Sequence, residues 1–60
     1  MSTKVLIVDD EVEFASALAE RLELRSYHAK AVFNADDAIS FVRNTPPDVV
    51  LLDFHSVKPK

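Results

Sequence analysis

Two short apolar runs constrain this chain more than any other feature. They are VLIV (Val5 to Val8) and VVLL (Val49 to Leu52), and each is followed at once by aspartate. Successive side chains of a strand point to opposite faces, so a continuous apolar run needs cover on both sides. Such runs belong inside a parallel sheet layered by helices, and the intervening sequence supplies the helices. Val12, Ala15, Leu18, Ala19 and Leu22 recur at helical spacing and predict an amphipathic helix from about Glu11 to Arg25. Asp10 is a candidate N-cap, Glu11 and Glu13 suit the positive end of the helix dipole, and Arg21 and Arg25 suit the negative end. Tyr27 to Phe33 alternates loosely and predicts a second, peripheral strand. Asn34 can cap a second helix with Asp36 and Asp37 in its first turn and Ala38, Ile39, Phe41 and Val42 on its apolar face. Thr45, Pro46 and Pro47 end it. The order β-α-β-α-β predicts parallel pairing and right-handed crossovers.

Sixty residues make at most one small domain. Chains of this size bury only about 60% of the surface that their unfolded forms expose. They usually need a disulfide, a metal or a partner subunit. The sequence has no cysteine, which excludes disulfides, thiol catalysis and cysteine zinc sites. His28 and His55 lack ligand spacing, so self-association is the expected source of extra stability. Net charge is −3, and Lys4, Arg21, Arg25, Lys30 and Arg43 are scattered, which argues against nucleic-acid binding by this segment. The first apolar run is too short for a signal peptide or a membrane span. A cytoplasmic chain without a membrane partner is expected.

The acids carry the chemical signal. Asp9 and Asp10 close the first predicted strand and Asp53 closes the third. Ligands of open α/β sheets bind outside the carboxyl ends of strands, where connections diverge. If the second strand flanks the first on one side and the third on the other, three carboxylates meet at one crevice. Clustered acids repel unless protons or a cation intervene, and hard oxygen ligands favour Mg²⁺. A carboxylate in such a site can attack a phosphoryl group. Against this stands a plainer reading, in which Asp10 is a helix cap and Asp53 a polar strand end.

Several motifs together bring a family into view. KVLIVDDE, AERLELRSY, NADDAI and PPDVVLLDF resemble, in register over residues 4–54, the receiver domain of bacterial two-component response regulators. The resemblance implies half of a flavodoxin-like, doubly wound parallel sheet with strand order 2-1-3. It implies that Asp9 and Asp10 bind Mg²⁺ and that Asp53, also a metal ligand, accepts phosphate from the phosphohistidine of a sensor histidine kinase. It further implies that the backbone carbonyl of His55 is a metal ligand and that the first helix is the kinase-docking face. The implied role is that of a phosphoacceptor and not of an enzyme.

The pattern departs after Asp53. The family continues with a Met-Pro-Gly-like turn and further strands and helices, whereas this chain reads HSVKPK. Residues 1–54 are therefore expected to form the N-terminal half of a receiver domain and residues 55–60 a divergent tail, by truncation, frameshift or design. Lys58, Lys60 and Ser56 read as parts of that solvated tail. The family's phosphoryl-contacting hydroxyl and lysine are missing, so weak or absent phosphorylation of the monomer is expected. No glycine occurs, although the family often has one where Ser26 and Ala35 stand. The third strand is expected to leave an open apolar edge, completed by a homo-oligomer. Alternatives are a kinase-docking module without phosphotransfer, a self-associating half-domain without a signalling role and, more distantly, a hydrolase using the same acids. Phe14 sits off the main apolar stripe, as a partner contact or a partly buried edge residue. Phe33, Phe41 and Phe54 are expected in the core or an interface. His28 and the carboxylates Glu20, Glu23 and Asp37 read as solvated.

Overall fold

The computed structural model describes residues 2–53, so Phe54 and the expected tail, His55 included, lie outside the described residues. The elements are β1 (Lys4–Asp9), α1 (Val12–Leu24), β2 (His28–Val32), α2 (Ala35–Asn44) and β3 (Val49–Asp53). All strands are parallel, in the order β2-β1-β3. This is half of a flavodoxin-like sheet, with the order that the resemblance implies. No helix among the described residues is long and apolar enough to cross a membrane.

The central strand is the one whose residues are buried on both faces. Val5 and Ile7 pack with Ala15 of α1 on one side, where Leu18, Ala19 and Leu22 join them. Leu6 and Val8 pack with Val32 on the other, against Ala38 and Phe41 of α2. The alternation is the period-two geometry of a strand sandwiched between layers. Phe33 also packs, partly buried, against the α1-side cluster.

The ends of α1 differ from expectation. Its N-cap is Glu11, not Asp10, and no side chain caps it. Asp9 takes up the adjacent amide instead: its Oδ1 accepts the Glu11 N–H at 2.9 Å. Val12 is half exposed, and the covered stripe begins at Ala15. At the other end the Ser26 N–H donates to the Glu23 carbonyl and the Tyr27 N–H to the Leu22 carbonyl, both at 3.0 Å. These two bonds form a Schellman motif, which needs a left-handed residue after the cap. Ser26 fills that place with φ 72°. Tyr27 is drawn into this turn, so β2 begins at His28 and is shorter than the predicted strand.

Asn34 caps α2 as expected: its Oδ1 accepts the Asp37 N–H at 2.8 Å, and its Nδ2 donates to Asp37 Oδ2 at 3.0 Å. Asp37 is thus part of a reciprocal cap and not merely a solvated acid. Glu23 is likewise engaged, its Oε2 accepting the Ala29 N–H at 3.1 Å. Of the apolar face of α2, Ala38 and Phe41 reach the core, while Ile39 stays 54% exposed and Val42 remains accessible. Among the described residues β3 has the expected open apolar edge, without the cover on both faces that its apolar run predicts. It is an edge strand, with Val49, Val50, Leu51 and Leu52 between 40% and 68% exposed. The physical reason is placement: α1 packs on β1 and β2, and α2 on β1.

Candidate functional site

Parallel strands put all their carboxyl ends at one edge of the sheet, and the crossover helices begin there. The register pairs Asp9 with Asp53, the last residues of the neighbouring strands β1 and β3. Neighbouring strands run about 4.8 Å apart, so the fold sets these two backbone positions side by side. The first turns of both helices stand at the same end, adding Glu13 from α1 and Asp36 and Asp37 from α2.

Asp9 is the residue with the most unusual environment. It is fully buried, the only charged side chain among the described residues to be so. The Glu11 amide holds one carboxylate oxygen, and the other, Oδ2, is buried without a hydrogen-bond partner. Leaving a buried polar atom unpaired costs about 1–3 kcal/mol, and more for a charged group. Native proteins therefore keep such atoms rare, and a bound ion is one way of satisfying them. A hard divalent cation fits this oxygen donor. Asp10, by contrast, is exposed in the bend before α1, beside Glu11, Val12 and Glu13 around a shallow depression.

The structure thus brings Asp9 and Asp53 together by register and places Asp10 next to them along the chain. It does not assemble a complete metal site: among the described residues no three His, Asp or Glu side chains group closely enough to hold an ion. The Asp53 side chain and His55 fall outside what is described. The Glu11 amide was invisible to sequence reasoning, because a backbone N–H carries no residue-type signature. Asp37 was detectable, since an acid three residues after Asn34 has capping-box spacing.

Along α1, Phe14 is 48% exposed and lines a small cavity with Ala17, Leu18 and Arg21.

No protein-family model matches the chain. It is 38% identical over 50 residues to the transcriptional regulatory protein BaeR of Escherichia coli O6:H1. The match covers 83% of this chain and 21% of that protein, so the chain spans about a fifth of its relative's length. With that identity, a β2-β1-β3 parallel sheet and aspartates paired at the ends of its two neighbouring strands, the chain belongs to the response-regulator family as a receiver-domain segment.

Proposed function

We propose that the chain acts in two-component signalling, with Asp53 as the acceptor of a phosphoryl group from the phosphohistidine of a sensor histidine kinase. The observation that carries this reading is the pairing of Asp53 with Asp9, whose buried Oδ2 lacks a partner. An oxygen of the Asp53 carboxylate attacks phosphorus. The phosphorus–nitrogen bond breaks, its electron pair returns to the imidazole, and that nitrogen takes a proton from solvent. An aspartyl phosphate remains on Asp53. Asp9, Asp10, Asp53 and the His55 carbonyl are the groups that would hold Mg²⁺, which when bound neutralises charge on the phosphoryl oxygens. The Glu11 N–H fixes Asp9 so that its second oxygen is the one left for the ion. Asp9 and Asp10 do no covalent chemistry; they position charge next to the acceptor.

Intact-mass analysis after treatment with a small phosphodonor tests this. The expected result is slow addition of one phosphoryl group that needs Mg²⁺ and disappears in Asp53→Asn. Addition that persists in Asp53→Asn refutes the reading; addition that is rapid and complete but lost in Asp53→Asn refutes only the expectation that it is slow.

A second reading is favoured by the exposed Phe14 cavity on α1. Here the chain docks on a histidine kinase through α1 without taking phosphate. Asp53→Asn then leaves kinase binding intact and Phe14→Ala weakens it; equal binding by wild type and Phe14→Ala counts against this use of α1.

A further inference from the structure

α1 ends on an acid that its own helix does not favour. Glu23 stands in the last turn, where a carboxylate faces the negative end of the helix dipole. Its reason lies outside the helix. The Schellman turn at Ser26 leads the chain back, and β2 starts beside the end of α1. Glu23 Oε2 thereby reaches the Ala29 N–H, six residues on, at 3.1 Å.

That amide belongs to the outer edge of the sheet. Among the described residues β2 pairs with β1 alone, in parallel register. The His28 N–H donates to the Thr3 carbonyl, toward β1. Amide directions alternate along a strand, so His28, Lys30 and Val32 donate inward, and Ala29 and Ala31 carry the outward amides. In a flavodoxin-like sheet of order 2-1-3-4-5 the second strand is outermost, so this edge does not depend on the chain beyond Asp53. With Ala29 engaged, Ala31 carries the only outward N–H left in β2. Exposed Lys30 lies between the two, and a lysine on an edge strand hinders pairing with another chain.

We infer that Glu23 closes the β2 edge: its carboxylate, bonded to the Ala29 amide, keeps out the β2 strand of a second copy of this chain. A copy is the partner excluded because the edge is self-complementary. Antiparallel pairing about a two-fold axis at Lys30 sets Ala29 of each chain opposite Ala31 of the other and uses the N–H and C=O of both. Glu23 takes half of the donors that this pairing needs. The two Lys30 side chains, directly opposite one another at the axis, add like-charge repulsion. The contact is autoinhibitory, made between a helix end and a strand edge of the same chain. It involves neither the acid edge of the sheet nor β3, so this inference is independent of the phosphoacceptor reading.

Light scattering with circular dichroism, across a concentration series of the 60-residue chain, tests it. Exchange of the Ala29 amide, followed by nuclear magnetic resonance, reports the contact itself. Glu23→Ala frees one amide on each copy. It should lower the concentration at which the chain associates at least about tenfold, and speed Ala29 exchange in dilute samples. Glu23→Gln keeps an acceptor oxygen, and Glu20→Ala removes an exposed charge elsewhere on α1, so both should associate as the wild type does. Ala31→Pro takes away the other outward amide without a bond to β1, and should cancel the effect of Glu23→Ala. Association of Glu23→Ala no stronger than that of the wild type overturns the inference, as does Ala29 exchange that is no faster. So does an equal gain in Glu23→Gln or Glu20→Ala, which traces the effect to lost charge. A gain that survives Ala31→Pro places the association at another surface and also overturns it. Loss of native circular dichroism in Glu23→Ala without association makes Glu23 a support of the fold, and the inference fails.

Discussion

Replacing Asp9 by asparagine is expected to stabilise this chain in the absence of divalent cations and to remove its response to Mg²⁺. Asp9 is completely buried, with Oδ1 bonded to the Glu11 amide and Oδ2 unpaired. The unpaired oxygen of a charged group costs about 1–3 kcal/mol or more. Asparagine keeps an oxygen for the Glu11 N–H and removes the charge, but it leaves an amide group where Oδ2 was. The net gain should therefore fall near the lower end, about 1–2 kcal/mol. In a domain of this size that raises the thermal midpoint by roughly 4–16 °C. Mg²⁺ acts in the opposite order. A ligand at ten times its dissociation constant stabilises the wild type by about 1.4 kcal/mol and leaves a variant that cannot bind it unchanged. Thermal and urea unfolding followed by circular dichroism, with and without Mg²⁺ and at one fixed chain concentration, measures both effects. An Asp9→Asn variant less stable than wild type without metal would refute the argument from the unpaired oxygen. Equal stabilisation of both proteins by Mg²⁺ would remove Asp9 from the metal site.

Three further changes probe the supports of the site. Ser26→Gly should stabilise by about 1 kcal/mol, since the left-handed backbone costs other residues about 1–2 kcal/mol and glycine gives up part of that gain in unfolded-state entropy; a urea midpoint no higher than that of Ser26→Ala contradicts this. Asn34→Ala removes the acceptor of the Asp37 N–H and should cost about 1 kcal/mol in the same assay, with an unchanged midpoint showing that the cap contributes nothing. Leu6→Ala empties a fully buried position of the central strand and should cost about 2–5 kcal/mol, enough to unfold so small a unit; native circular dichroism at room temperature would show that the core is not where the structure places it.

Much of the fold was legible because its signals are local. The apolar runs at 5–8 and 49–52, the helical spacing from Ala15 to Leu22 and the Asn34 cap each report backbone geometry within a few residues. Where local signals failed, a longer-range bond won. Tyr27 has a strand-like side chain, yet its amide closes the turn to Leu22. Glu23 looks like one more solvated acid, yet it reaches the edge of β2. Asp10 has a good capping side chain, but the chain enters α1 one residue later, and Asp9 takes the Glu11 amide.

By itself the sequence determined the order of strands and helices and the placing of acids directly after two apolar runs, because periodicity and turn chemistry act over one or two turns of chain. The resemblance implied that β1 lies between β2 and β3, and the tertiary structure shows it and sets Asp9 in register with Asp53. The tertiary structure also decided that Asp9 is buried while Asp10 is exposed, and that Glu23 takes up the Ala29 amide of β2. Those choices depend on contacts between residues tens of positions apart. Two adjacent aspartates of identical chemistry end in different surroundings, because the layers of the fold close over one and leave the other in water.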